Sequence, residues 1–142
     1  MKLSQLSLFL QNQPGALTRP CRVLAEAGVN IVTFALADAQ QFGILRLIVQ
    51  DPEQARSVLE QQGFLVKFTE VVAIQVEDRP GGLADVLETL EKARINVEYC
   101  YACTLKQGNK GVLVFRFGDP VAAIATLAST GVRVLTPAEL CA

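Results

Sequence analysis

The residues with the clearest chemical potential lie in a turn, within the stretch VEDRPGGLADVLETL, residues 76–90. An apolar pattern of helical spacing begins directly after Gly81 and Gly82, which puts the turn at a helix amino terminus. The first N–H groups of a helix lack partners within it, and the aligned peptide dipoles favour an anion such as a carboxylate there. Asp78 could accept hydrogen bonds from an ammonium group. The turn could therefore hold a free α-amino acid, or its glycines could merely permit a tight turn that Asp78 caps.

The stretch LQNQPGALTRPCRVL, residues 10–24, carries the same turn earlier in the chain. Further matches follow in the same order along both halves: Leu24 with Leu90, Asn30 with Asn96, Gly43 with Gly111, Asp51-Pro52 with Asp119-Pro120, and Gly63 with Gly131. Because the matches keep their order, they indicate a repeat and not a shared composition. The sequence predicts two tandem domains, residues 1–68 and 69–142.

Each repeat has the pattern of a strand, a helix, two strands, a second helix and a last strand. The first strands alternate in LSLFLQ and VAIQVE, and the turns DAQQFG and KQGNKG connect the middle strands. Asp51 and Asp119 are the predicted N-caps of the second helices, each followed by proline, and Gly63 and Gly131 are predicted to end them. The expected fold class is α+β: two ferredoxin-like βαββαβ units in tandem, with antiparallel sheets and helices on one face.

The second face of each predicted sheet is also apolar in part, at Ile44 and Ile48 in one repeat and Val112 and Val114 in the other. A unit of about 70 residues has a marginal core by itself. We therefore expect the two units to pair side by side, and the chain to form a homodimer that buries the remaining apolar surface.

The cysteines and carboxylates do not form a recognisable metal or catalytic site. Cys100 and Cys103, in CYAC, lie on a predicted strand, where positions three apart face opposite sides, and the sequence has no histidine. Neither G-x-S-x-G nor a P-loop signature occurs. We expect buried thiols, no metal, no cofactor and no enzymatic activity.

The composition narrows the class of protein further. Hydrophobic residues make up 51% of the chain, enough to build a core. The formal net charge is −1 and the 13 lysines and arginines are scattered, so the sequence favours no nucleic-acid partner. No apolar run approaches the roughly 18 residues of a membrane span. We expect a cytoplasmic protein that does not bind membranes.

The repeated pattern resembles the ACT domain in a tandem, stand-alone arrangement: twice, a strand leads into [Asn/Asp]-x-Pro-Gly-x-Leu, a helix, Asn-[Ile/Val], a hairpin, Asp-Pro and a second helix. The resemblance covers essentially the whole chain. It implies ligand-binding residues in both repeats. In the second these are Asp78, Pro80, Gly81, Gly82, Leu83 and Asn96, and in the first Asn12, Pro14, Gly15, Ala16, Leu17 and Asn30.

The resemblance also implies a function. ACT domains are small regulatory modules that usually bind amino acids at the interface between domains. The expected protein is a non-catalytic, allosteric regulator that binds a small ligand, most simply a free amino acid, between its ACT-like domains and acts on a partner enzyme or on its own oligomer. The alternative is a subunit that associates with a metabolic enzyme without any ligand.

Two departures from the pattern make the loops unequal. Asn12 replaces the acidic residue, so the first loop lacks the charge of Asp78, and charge-assisted hydrogen bonds are about twice as strong as neutral ones. Pro20 falls inside the first predicted helix, where it should kink or shorten the helix. On charge alone, the loop around Asp78 is the better binding site.

Overall fold

The computed structural model describes residues 2–37 and 40–141, and of residues 105–107 only the backbone. Asp38 and Ala39, which begin the predicted DAQQFG turn, lie outside the described residues. The chain forms two compact units. The amino-terminal unit is Ser4–Thr69, and the carboxy-terminal unit comprises Glu70–Ala142 together with Met1–Leu3.

The amino-terminal unit is built on three antiparallel strands in the order β2-β3-β1. Its elements in chain order are β1 (Leu3–Gln11), α1 (Thr18–Glu26), β2 (Ile31–Ala37), β3 (Phe42–Val49) and α2 (Pro52–Gln61). The next strand, β4 (Lys67–Glu77), begins in this unit and continues into the carboxy-terminal unit.

The carboxy-terminal unit repeats this architecture, with the strand order β4-β6-β5. Its further elements are α3 (Gly82–Lys92), β5 (Val97–Gln107), β6 (Lys110–Phe117), α4 (Pro120–Ser129) and α5 (Pro137–Cys141). The predicted last strand is shorter than expected, because it consists of an isolated bridge between Val134 and Ile74. The expected fold class, ferredoxin-like units with antiparallel strands and intervening helices, is confirmed.

Each unit has its own core on the face of the sheet that carries the helices. In the amino-terminal unit, alternate residues of β1 and β3 pack with one face of α1 and α2, and the buried members include Leu6, Leu8, Leu45, Leu47 and Leu59. In the carboxy-terminal unit the equivalent members include Val72, Ile74, Phe115, Phe117 and Leu127. The predicted alternation of the strands is therefore confirmed, because residues two apart share a face.

The helix caps follow the sequence prediction. The Asp51 carboxylate accepts a hydrogen bond from the Gln54 N–H at 3.2 Å, and the Asp119 carboxylate accepts one from the Ala122 N–H at 3.1 Å. Gln54 stands where a capping box with Asp51 would place it, but its side-chain amide donates instead to the Ala27 carbonyl, 3.2 Å away at the end of α1. The glycines that follow α2 and α4 have the left-handed φ of +90° and +81° that such helix ends favour.

Removing either cap should destabilise the protein measurably. We expect Asp51→Ala and Asp119→Ala each to lower the free energy of unfolding by about 1 kcal/mol, because each leaves a helix-start N–H without its acceptor. Urea unfolding followed by far-ultraviolet circular dichroism measures the loss. Ser57→Ala, on an exposed position of α2, is the control and should change stability by less than about 0.5 kcal/mol. Unchanged stability in both aspartate variants would contradict the capping role.

The short helix α5 was not expected, although its sequence contains a capping box. The Thr136 hydroxyl accepts from the Glu139 N–H, and the Glu139 carboxylate accepts from the Thr136 N–H, both at 3.2 Å. Pro137 occupies the first helical position. The bonds from the backbone N–H and the hydroxyl of Thr136, together with the Arg133 guanidinium, lower the pKa of Glu139 below its usual value. The signature Thr-x-x-Glu could have located this helix in advance.

This box predicts a pH dependence for α5. Because the folded-state pKa of Glu139 is lowered, its stabilising contribution is present above the ordinary glutamate pKa and is lost as the pH falls through the folded value. The difference in the free energy of unfolding between the wild type and Glu139→Gln, measured by urea unfolding, should therefore become smaller as the pH is lowered from 7 to 3. Thr136→Val removes the hydroxyl alone and should retain part of the dependence. A difference that is equal at both pH values would show that the carboxylate does not cap α5.

Candidate functional site

The candidate site residues lie mainly in two loops at repeat-equivalent positions. The amino-terminal loop, residues 12–17, joins β1 to α1, and the carboxy-terminal loop, residues 78–83, joins β4 to α3 and includes the first two residues of that helix. Gly15 and Gly81 both have φ of +86°, a left-handed conformation that glycine adopts without strain. The repeated Pro-Gly therefore forms the same turn twice.

The backbone hydrogen bonds of the two loops match as well. The N–H of Asn12 donates to Gln41 at 2.8 Å in the amino-terminal loop, and the N–H of Asp78 donates to Asn109 at 3.2 Å in the carboxy-terminal loop. Each loop also closes a four-residue turn ahead of its helix, in which the Ala16 N–H donates to the Gln13 carbonyl at 3.2 Å and the Gly82 N–H to the Arg79 carbonyl at 3.0 Å. The loops therefore differ in their side chains much more than in their hydrogen-bonding pattern.

Pro20 explains why α1 begins later in its repeat than α3 does. α1 begins at Thr18, whereas α3 begins at Gly82, the equivalent of Ala16. Without an N–H, Pro20 cannot make the bond to the Ala16 carbonyl that would start the helix earlier. Pro20 instead lies in the first turn of α1, where its missing N–H has no consequence. The expected shortening of this helix is thus observed, without the loss of an interior hydrogen bond.

A cavity of about 140 Å³ borders the amino-terminal loop. Asn12, Ala16 and Leu17 line it from the loop, Leu36 lines it from the end of β2, and Gly43 lines it from β3. None of the side chains described around this cavity is ionisable. The cavity can accept an apolar group, and the neutral amides at its mouth can hydrogen bond to a polar one.

The carboxy-terminal loop is occupied by its own side chains. The Arg79 guanidinium forms an ion pair with Asp85 at 2.8 Å and donates to the Pro80 carbonyl at 3.1 Å. The start of α3 also lies directly against the end of β4, because a Cβ placed on Gly82 would lie 2.0 Å from the Glu77 carbonyl oxygen. Gly82 therefore serves close packing at this position.

A second cavity, of about 230 Å³, lies in the carboxy-terminal unit. Its charged lining residues are Glu77, Arg79, Asp85, Lys110 and Arg133. Lys110 pairs with Glu77 at 3.7 Å, and Arg133 pairs with Glu139, so cations and carboxylates largely neutralise one another here. Of the predicted site residues, Gly82 lines this cavity, whereas the exposed Asp78 does not.

The two asparagines of the predicted site lie far from the loops of their own units. Asn30 precedes β2 at the end of the sheet opposite the amino-terminal loop, and its carbonyl accepts from the Gln50 N–H. Asn96 has the same position ahead of β5, and its carbonyl accepts from Gly118. The separation from each loop is roughly 20 Å, since strands rise about 3.3 Å per residue. Within a unit, the structure therefore does not bring these asparagines and loops together.

Some remaining predicted residues point outward. Pro80 and Gly81 are exposed, and the Leu83 side chain is 42% exposed on the outer side of α3. The residues that the sequence did not single out are Leu36 and Gly43 at the first cavity, and Arg79 and Asp85 at the second loop. The recurrence of Gly43 as Gly111 was a signal for a small residue, but it did not indicate a cavity.

The described residues contain no group of three or more histidine, cysteine, aspartate or glutamate side chains arranged to hold a metal ion. The expectation of buried thiols is wrong for Cys100, which is exposed, and the other three cysteines are partly buried. Burial raises the pKa of the Cys21 thiol above its usual value. Within residues 2–37 and 40–141, no helix has the length and apolar character needed to cross a membrane.

Comparison with known proteins places these features in context. The ACT domain pair family matches residues 1–134. Protein BT0572 from Bacteroides thetaiotaomicron is 35% identical, with a TM-score of 0.93 over 99% of this chain and 96% of that one. The ligand-free regulatory subunit of aspartate kinase from Thermus thermophilus has a TM-score of 0.67 at 16% identity, over 90% of both chains. No curated protein matches the sequence.

A longer enzyme contains a similar fold in part of its chain. Aspartate kinase from Synechocystis has a TM-score of 0.62 at 22% identity, covering 94% of this chain but 26% of the enzyme. At this identity the similarity shows the fold alone. The same fold thus occurs as a separate chain and as a portion of a larger protein.

Proposed function

Because the chain belongs to the family of ACT domain pairs, we propose that it is a non-catalytic regulatory protein that binds a free amino acid at its strand-to-helix loops. The observation that carries the proposal is the cavity beside the amino-terminal loop, which joins an apolar pocket to the start of a helix. The regulatory subunit among the structural neighbours supports a regulatory role. The partner would be an enzyme of metabolism or a second copy of the chain.

The chemistry of the loop suits the two ends of an amino acid. The α-carboxylate would lie near the helix start, where peptide dipoles favour an anion. Polar side chains of the loop, Asn12 in one unit and Asp78 in the other, would accept from the ammonium group. Regulation would follow if two packings of the protein bind the ligand with different affinity, because a ligand shifts such an equilibrium by that difference.

A thermal-shift panel of the twenty amino acids at millimolar concentration tests the proposal. A ligand at about 100 times its dissociation constant stabilises the native state by roughly 2.7 kcal/mol. In a chain of this size, that corresponds to an increase in Tm of roughly 5–10 °C. Nucleotides at the same concentration are the control. A flat response to all twenty amino acids would contradict amino-acid binding.

The second candidate function is association without a ligand, and one surface favours it. Phe9 and Phe42 are 70% and 50% exposed on the same face of the amino-terminal sheet, opposite the helices. Large exposed aromatic residues on one face are typical of interaction surfaces. A flat amino-acid panel, together with an oligomer that dissociates in a Phe9→Ser and Phe42→Ser variant during sedimentation velocity, would support this function. Unchanged sedimentation would exclude this surface.

A further inference from the structure

We infer that only the amino-terminal loop takes the ligand, and that this ligand is an amino acid with an apolar side chain no larger than about a benzene ring. The inference rests on the proposed function and specifies its site and its ligand class. The inferred site differs from the one expected from formal charge, which favoured the loop around Asp78.

The size and lining of the amino-terminal cavity set the ligand class. Its volume of about 140 Å³ is close to that of an engineered apolar cavity, about 150 Å³, that binds benzene. Leu10, Leu17 and Leu36 supply apolar walls, and none of the described side chains that line the cavity is charged. An unpaired charge in such a pocket costs several kcal/mol, which excludes Asp, Glu, Lys and Arg side chains. Two limits follow, one on the size of the ligand side chain and one on its charge. Both are met by Val, Leu, Ile and Phe.

Small residues keep this cavity open. Gly43 pairs with Leu10 in the sheet, and both face the helices. A Cβ on Gly43 would lie 3.2 Å from the Ala37 carbonyl oxygen and 3.3 Å from a methyl carbon of Leu36, so a side chain here would crowd the cavity wall. On the loop side, Ala16 stands where the second repeat has Gly82. Because Ala16 carries a methyl group, the start of α1 cannot approach its strand as closely as α3 does.

The cavity beside the carboxy-terminal loop is larger, about 230 Å³, but five charged side chains line it, so it does not suit an apolar side chain. Gly82 packs against the Glu77 carbonyl so closely that no side chain fits between them. Arg79 replaces Gln13 of the first repeat, and its guanidinium lies on the loop through its bonds to Pro80 and Asp85. The Arg79–Asp85 ion pair is exposed and therefore contributes little. The packing of Gly82 on the Glu77 carbonyl thus holds the loop closed more strongly than this ion pair does.

The residue equivalent to Asp85 behaves differently in the first repeat. Arg19 stands at that position, and its guanidinium donates to the Gln62 carbonyl at 2.8 Å and lies over the Phe64 ring at 4.7 Å. Both partners lie just after α2 and do not belong to the amino-terminal loop. Among the described residues of the first repeat, no ion pair therefore crosses the loop as Arg79–Asp85 does in the second.

Isothermal titration calorimetry on the full chain tests the inference with a matched pair of variants. Gly43→Ala narrows the cavity, whereas Gly111→Ala adds a methyl group at the equivalent position, where the nearest atom is 3.9 Å away. We expect one ligand per chain and a preference for Val, Leu, Ile or Phe. Gly43→Ala should weaken binding at least about tenfold, as an extra methyl in a filled apolar pocket does, and Gly111→Ala by less than about twofold.

A second variant covers the case in which Gly43→Ala does not fold. Ala16→Leu fills the cavity from the loop side and should also weaken binding at least about tenfold, with circular dichroism confirming the fold. Two ligands per chain, a charged preferred ligand, or binding lost in Asp78→Ala but kept in Gly43→Ala and Ala16→Leu would overturn the inference. Each of these outcomes leaves amino-acid binding itself intact, whereas a flat panel contradicts the proposed function.

Discussion

Gly82→Ala should lower the free energy of unfolding by about 3 kcal/mol, the upper end of the usual cost of forcing extra atoms into a packed site. The new Cβ would lie 2.0 Å from the Glu77 carbonyl oxygen, and a backbone oxygen cannot rotate away as a flexible side chain can. Either α3 or the end of β4 must therefore shift. Urea unfolding monitored by circular dichroism gives the change, and Tm should fall by roughly 6–12 °C.

The control for this substitution is Gly111→Ala, whose added methyl group meets its nearest neighbour, the Val76 carbonyl oxygen, at 3.9 Å. An ordinary van der Waals contact of that length should cost less than about 1 kcal/mol. Equal losses in the two variants would indicate a general intolerance of alanine in place of glycine. A stable Gly82→Ala protein would contradict the close packing of α3 on the end of β4.

Phe115→Ala should have the largest effect of the substitutions considered, lowering the free energy of unfolding by about 3–5 kcal/mol. Phe115 is fully buried on the helix-facing side of β6, and its ring stacks on Phe117 with centroids 5.4 Å apart. Removing the ring therefore leaves a large void and deprives Phe117 of an aromatic contact. Chemical unfolding in guanidinium measures the loss, and an unfolded variant at 25 °C would also agree with it.

Phe9→Ala is the matched control for this core substitution. Its ring is 70% exposed on the opposite face of the amino-terminal sheet, so truncation removes little buried area. We expect a change of less than about 1 kcal/mol in the free energy of unfolding. A larger loss at Phe9 than at Phe115 would contradict the assignment of the core to the helix-facing side.

Features set by short stretches of chain could be predicted from the sequence. The caps at Asp51 and Asp119, the left-handed Gly63 and Gly131, and the alternation of the core strands all depend on residues a few positions apart. Local backbone chemistry decides such features, and each of them occurs in both repeats of the sequence. The fold class followed from them, since the order of elements permits few arrangements.

The candidate site depended on contacts that the sequence does not display. No short sequence pattern predicts that Gly82 packs on the Glu77 carbonyl. Nor does one predict that Leu36, distant in sequence, lines a cavity with Ala16. The same limit explains why the role of Arg79 was missed, because its partner Asp85 is recognised only once α3 is placed against the turn. Formal charge favoured Asp78, whereas the apolar lining of the cavity favours the other loop.

Hydrogen bonds connect the two amino-terminal helices near both of their ends. Arg19, at the start of α1, bonds to Gln62 just after α2, and Gln54, near the start of α2, bonds to Ala27 just after α1. In the second repeat, Ala122 replaces Gln54 and has no amide to make such a bond. Hydrogen bonds thus join the two amino-terminal helices near both ends of α2, which is about 15 Å long, and a shift of the first turn of α1 would strain the bond at its Gln62 end.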